Sequence, residues 1–222
     1  MTAAAGSGPR SRLGRGGLPG GTRFPGFDVT TQARHWDPVT AGVVLDRLRS
    51  PEPPRFFTAR EEAIADALFD QLLAQREDPR VPVTAMVDSR LAEQRTDGWR
   101  YADMPEDGQA WRESLRLLDH DAAQRYGRGF CECPEDQQRE LIQHVQDLGS
   151  DDWHHLPAGR VWSLWTRYGC TAFYSHPAAW NEIGFPGPAY PRGYKALGIG
   201  SLESFEVHDS RPQDDPAADG QA

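Results

Sequence analysis

Apolar residues recur at helical spacing through most of the middle of the chain. Ile64, Ala67, Leu68 and Leu72 fall on one stripe of a 3.6-residue period. Thr58-Ala59-Arg60-Glu61 stands just ahead of them as a capping box, so a helix is expected to about Arg76. Val83, Met86, Val87 and Leu91 predict a second helix over about Pro82–Gln94. Trp111, Ser114, Leu115, Leu118 and Ala122 predict a longer one from about Asp107, with Gly127 as its stop. Cys133-Pro134-Glu135-Asp136 opens another, its two acids suited to the positive end of a helix dipole. Leu141, Ile142, Val145 and Leu148 are its inner face, and Gly149 ends it. Val161, Trp162, Leu164, Trp165, Tyr168 and Phe173 make a helix over about Pro157–Ser175 apolar nearly all round, which is the mark of a central helix. Gly169 inside it costs about 1 kcal/mol relative to Ala, which a close helix–helix approach would offset. His176-Pro177 ends it, since the residue before proline avoids the α region. A short helix is also expected from Asp37-Pro38, with Asp37 as N-cap and Pro38 at N1. It carries Val39, Val43, Val44 and Leu48 and is broken by the prolines of 50–55. Strand-like alternation is nearly absent. The pattern predicts an all-α fold, a single helical domain with long Pro/Gly/aromatic loops.

One stretch departs from the helical pattern. Residues 180–194 hold four aromatic rings, three prolines and three glycines without any period. Three missing N–H donors exclude a long helix or a central strand, yet the run is too aromatic for a solvated linker. It either closes the fold along its own surface or presents its rings to a partner. Tyr, Trp and Arg dominate binding hot spots, so the candidate partner-binding set is Trp180, Phe185, Pro186, Tyr190, Arg192 and Tyr194. Within the stretch, Trp180, Ile183 and Phe185 are expected to lean on the domain. Tyr190, Arg192 and Tyr194 are expected to make the contacts, joined by the extended run 198–207.

Composition narrows the function classes. Residues 1–21 read as a flexible basic arm, 22–207 as the helical domain and 208–222 as an acidic tail. A net charge of -9 argues against nucleic acid as the partner. No apolar run approaches the roughly 20 residues that span a bilayer. Arg10, Arg12 and Arg15 lead into no apolar segment, so no signal peptide is read and the cytoplasm is the expected compartment. Export together with a partner is the alternative.

Candidate chemistry is sparse. Cys131, Cys133 and Cys170 are an odd set that forms no disulfide framework. C-x-C with scattered histidines also misses the paired spacing of a structural zinc site, so no metal is expected. Cys133 at a helix N-terminus is expected to have a lowered thiol pKa. Asp151, Asp152, His154 and His155 lie together before the central helix. A self-contained helical enzyme or metal-binding protein using Asp151, His154 and His155 is the alternative to a binding role. No glycine-rich phosphate loop, nucleophile elbow or haem attachment motif occurs, so no cofactor is expected in this chain.

Three blocks resemble one family. Phe56-Phe57-Thr58-Ala59-Arg60-Glu61-Glu62 matches an opening F-[FL]-[ST]-x-x-E. Tyr126-Gly127 followed by Cys133-Pro134-Glu135-Asp136-Gln137-Gln138 is similar to Y-G…S-P-E-[QD]-Q, with Cys133 where Ser is usual. Trp180…Ile183-Gly184-Phe185-Pro186-Gly187 resembles an ending W…I-G-[FY]-P-G. The order and spacing resemble the gluconate 2-dehydrogenase subunit 3 family, small subunits that accompany GMC-type FAD-dependent sugar and alcohol dehydrogenases. The short Pro177-Ala178-Ala179 stands where many members have a longer loop with Gly-Gly-Asn, and no twin-arginine export signal is visible. The resemblance implies a non-catalytic accessory subunit that supports maturation or stability of the large subunit. It also implies that FAD resides in that partner, with a cytochrome or other acceptor taking the electrons. No catalytic residue carries over.

Overall fold

A computed structural model describes residues 24–76 and 80–208. The arm expected at 1–21 and the tail from residue 209 onward lie outside the described residues. The described chain is mostly helical, with two 3-10 turns and one two-stranded ribbon beside its α-helices. It divides into two compact units. One covers Pro51–Phe173, and the other is assembled from Met1–Ser50 and Tyr174–Ala222.

The first unit holds α2 (Ala59–Leu72), α3 (Val83–Ala92), α4 (Asp107–Tyr126), α5 (Glu135–Asp147) and nearly all of α6 (Ala158–Ser175). The capping box that starts α2 forms as expected: Glu61 N donates to Thr58 Oγ1 and Thr58 N to Glu61 Oε2. Burial works against the Glu61 charge, but the Thr58 donors and Arg112 hold its carboxyl below the usual range. Helix α2 stops at Leu72 rather than Arg76, and α3 at Ala92 rather than Gln94. Ala74 and Gln94 take positive φ, 52° and 53°, and a left-handed residue cannot continue a right-handed helix. Gly127 ends α4 at φ 69°, as its position predicts.

Aromatic rings fill the centre of this unit. Trp111 is fully buried, with Phe57, Phe69 and Tyr168 around it at 5.5–6.2 Å between ring centroids. Trp165 Nε1 donates to Ser114 Oγ at 3.0 Å, which explains the one polar residue on the α4 stripe. Gly169 meets the expectation of a close approach: a Cβ there would stand 2.9 Å from Phe69 Cε1. Asp88 on α3, also buried, accepts the backbone N–H groups of Arg55, Phe56 and Phe57 at 2.7–2.9 Å. It thereby anchors the bend that leads into α2. A short hairpin precedes α6, with β1 (Asp152–Trp153) paired antiparallel to β2 (Leu156–Pro157). Two residues per strand are too few to show a period-2 pattern, so sequence alone does not reveal it.

The second unit pairs a 3-10 turn, Val29–His35, with α1 (Pro38–Asp46) and α7 (Pro177–Ile183). Its core is Val29, Trp36, Val44 and Trp180, with Phe27, Ala33, Ala41 and Phe185 packed on it. Asp37 caps α1 through bonds from Val39 N and Thr40 N, as read from the sequence. The expected apolar stripe of α1 turns out differently. Val44 is buried, whereas Val39 and Val43 are 75% and 53% exposed. With apolar residues on nearly every side of α1, periodicity cannot say which face is inner.

Candidate functional site

The aromatic stretch is more ordered than its composition suggests. His176 caps a short helix: its Nδ1 accepts from Ala178 N at 3.1 Å, and Pro177 occupies N1. That helix, α7, takes in the first four residues of the stretch, including Trp180. Trp180 Nε1 donates to the Tyr174 carbonyl at 2.6 Å, and Arg47 lies over the indole. Asn181, also buried, accepts from Val29 N at 2.7 Å and ties α7 to the 3-10 turn. Gly184 ends α7 at φ 68°, and Phe185 N bonds back to the Trp180 carbonyl. Phe185 then meets Trp180 edge-on at 5.3 Å. Gly187 runs so close to Trp36 that a Cβ would fall 2.4 Å from Cζ2.

These contacts sort the candidate residues. Trp180 and Pro186 are buried and Phe185 is half-buried, so their rings serve the fold. Ile183 was expected to close against the domain but is exposed, because it sits on the outer side of α7 beside the left-handed turn. Tyr190 and Tyr194 are 67% and 58% exposed. Arg192 is intermediate: Nη1 donates to Gln32 Oε1 at 2.9 Å, and the guanidinium stacks 3.7 Å from the Phe205 ring centroid. Tyr194 also leans on Phe205. Leu197 and Ile199, farther along, lie almost wholly in solvent.

The histidine cluster does not converge. His154 Nε2 lies 2.7 Å from Asp121 Oδ1, while His155 Nε2 lies 3.2 Å from Glu113 Oε1. Asp151 contributes its backbone, accepting from Ala158 N and donating to the Leu148 carbonyl. Asp151, His154 and His155 are therefore not one site, since neighbouring turn residues project in different directions. Asp121 is the residue that sequence reading missed here. It also accepts from Trp153 Nε1 at 2.8 Å, and its distance of 32 residues along the chain leaves no local signal. The pair sits on the wall of an open groove of about 430 Å³ that also includes His144 and Leu141. Among the described residues, no three His, Cys, Asp or Glu side chains come together to hold a metal ion.

Cys133 corrects an expectation. It is buried, and burial pushes its thiol pKa up rather than down. It offers the first turn of α5 no side-chain cap. Its carbonyl instead accepts from buried Gln138 Nε2, which also reaches the Phe130 carbonyl. Gln138 Oε1 accepts in turn from Gln71. The Cys133…Gln138 block is thus an internal brace, as are the Thr58 cap and the Trp180–Gly187 turn.

No helix among the described residues is long and apolar enough to cross a membrane. No curated protein and no solved structure matches the chain. A family model described as gluconate 2-dehydrogenase subunit 3 matches residues 59–187, more than half of the chain. That span begins inside the Thr58 capping box, takes in the Cys133–Gln138 brace and ends at the glycine packed on Trp36. The chain belongs to the gluconate 2-dehydrogenase subunit 3 family.

Proposed function

We propose that this chain is a non-catalytic accessory subunit that binds and stabilises a GMC-type FAD-dependent sugar or alcohol dehydrogenase. The flavin and the oxidation belong to the partner, and a cytochrome or other acceptor takes the electrons. One observation carries this reading. The three blocks shared with the family are occupied in internal structure, and the last of them steadies a segment that then exposes Tyr190 and Tyr194. Exposed tyrosines on a braced loop lose little conformational freedom when a partner covers them. A subunit that binds only the folded flavoprotein stabilises it by mass action, about 2.7 kcal/mol at a hundredfold excess over Kd.

Co-expression with the flavoprotein and co-purification through a tag on either chain test the proposal. The expected result is a complex that holds FAD and melts at a higher temperature than the flavoprotein alone. Two chains that purify separately, each unchanged in melting temperature by the other, would sink it.

A further inference from the structure

One side of the Arg192 guanidinium is not satisfied within its own unit. Nη1 donates to Gln32 Oε1 at 2.9 Å, and the group stacks 3.7 Å from the Phe205 ring centroid. Nε and Nη2 are withdrawn from solvent and meet no acceptor among the described residues. These two nitrogens share one edge of the group, and such an edge grips both oxygens of a carboxylate through parallel N–H bonds. Two carboxylates flank Phe205 in the sequence, but both are engaged elsewhere. Glu203 Oε1 accepts from Ala196 N at 2.5 Å and from Lys195 N, and Glu206 Oε2 accepts from Glu203 N at 2.7 Å. Charged donors held out of water without an acceptor are costly, and native folds rarely keep them so.

We infer that the Nε–Nη2 edge of Arg192 binds a carboxylate side chain of the flavoprotein, as the ionic centre of a contact flanked by Tyr190 and Tyr194. The inference rests on the accessory-subunit reading and deepens it, by naming the chemistry of the residue that meets this loop. The unpaired edge specifies a planar, bidentate anion. Both tyrosines are exposed and stand two residues to either side, so a partner that covers them passes over Arg192. The backbone here does not depend on the guanidinium, because Gly193 N closes the turn on the Ala189 carbonyl at 2.8 Å. Phe205 is the cover of the free chain: its ring lies on one face of the group and must turn aside for a carboxylate to enter. The bonds of Glu203 and Glu206 stay within the run 195–206, so they do not tie Phe205 down onto Arg192.

The test titrates full-length variants against the flavoprotein and melts each variant alone. Arg192→Gln should bind about 30-fold more weakly or worse, with the melting temperature of the isolated chain nearly unchanged. Arg192→Lys keeps the charge but loses the fork, and should fall between, at about tenfold. Gln32→Ala removes only the bond within the chain and should bind within about threefold of wild type. Phe205→Ala removes the cover and should bind at least as tightly as wild type.

If wild type binds and Arg192→Gln binds within about threefold of it, the ionic contact is wrong and the accessory reading survives. A clear drop in the melting temperature of Arg192→Gln, with equal loss of binding in Gln32→Ala, would make Arg192 a brace of the fold and overturn the inference. Weaker binding by Phe205→Ala would overturn the role of that ring as a cover. If wild type fails to bind the flavoprotein, both the reading and this inference fall. Dimers in sizing chromatography that Arg192→Gln abolishes would give the edge to a second copy of this chain instead.

Discussion

At the scale of single residues, buried polar groups decide most of what the fold depends on. Asp88 holds three backbone donors inside the larger unit. Removing its carboxylate leaves those N–H groups without partners, so Asp88→Ala should cost about 2–4 kcal/mol in urea unfolding, and Asp88→Asn less. A variant that unfolds like wild type would show that water replaces the carboxylate. His176 gives a pH signature. Burial pushes its pKa down to about 4, the Arg47 charge acts the same way and the Arg47 backbone opposes it, while Nδ1 accepts from Ala178 N. The unfolded chain takes up that proton near its ordinary value of about 6.5, whereas the folded chain resists it. The stabilising contribution is therefore complete above about pH 6.5 and is lost progressively as the pH falls toward 4. Between pH 7 and pH 5 the chain should lose about 1–2 kcal/mol. His176→Asn keeps an acceptor at the cap and should flatten that slope in thermal melts across pH.

At the scale of elements, two glycines inside helices should respond in opposite ways to one substitution. Gly169→Ala drives a methyl into Phe69, and the displaced ring should outweigh the gain in helix propensity, costing about 1–3 kcal/mol. Gly42→Ala meets open space and should stabilise the isolated chain by up to about 1 kcal/mol. Denaturant midpoints of the two variants check both signs. Helix starts were well marked in the sequence, because Thr58, Asp37 and Pro38 act on N–H groups a few residues away. Some helix ends were not, since Ala74 and Gln94 take left-handed φ without being glycine. The α7 helix was hidden by Pro177 at its first position, by the prolines that follow it, and by a histidine cap, a role more often held by Ser, Thr, Asp or Asn.

At the scale of the whole molecule, stability and association should separate by residue. Trp180 fills the core of its unit and donates to Tyr174, so Trp180→Ala should cost about 3–5 kcal/mol in unfolding free energy. Tyr190→Ala with Tyr194→Ala should leave the melting temperature of the isolated chain nearly unchanged and weaken binding to the flavoprotein about tenfold or more. Melting curves read beside co-purification distinguish the two outcomes. A large drop in melting temperature for the tyrosine pair would mean that the loop only closes the fold.

The sequence by itself determined the helical class, the places where α1, α2, α4 and α6 begin, the close approach at Gly169 and the family blocks. All of these rest on interactions within a few residues or on one periodic face. Only the tertiary structure decided that Val39 and Val43 face outward, that Pro186 is core while Ile183 is surface, and that His154 meets Asp121 rather than its sequence neighbours. It also showed Asp88, Gln138 and Asn181 as braces. The reason is physical: a residue's period and spacing report which positions share a face, but burial and pairing depend on partners dozens of residues away.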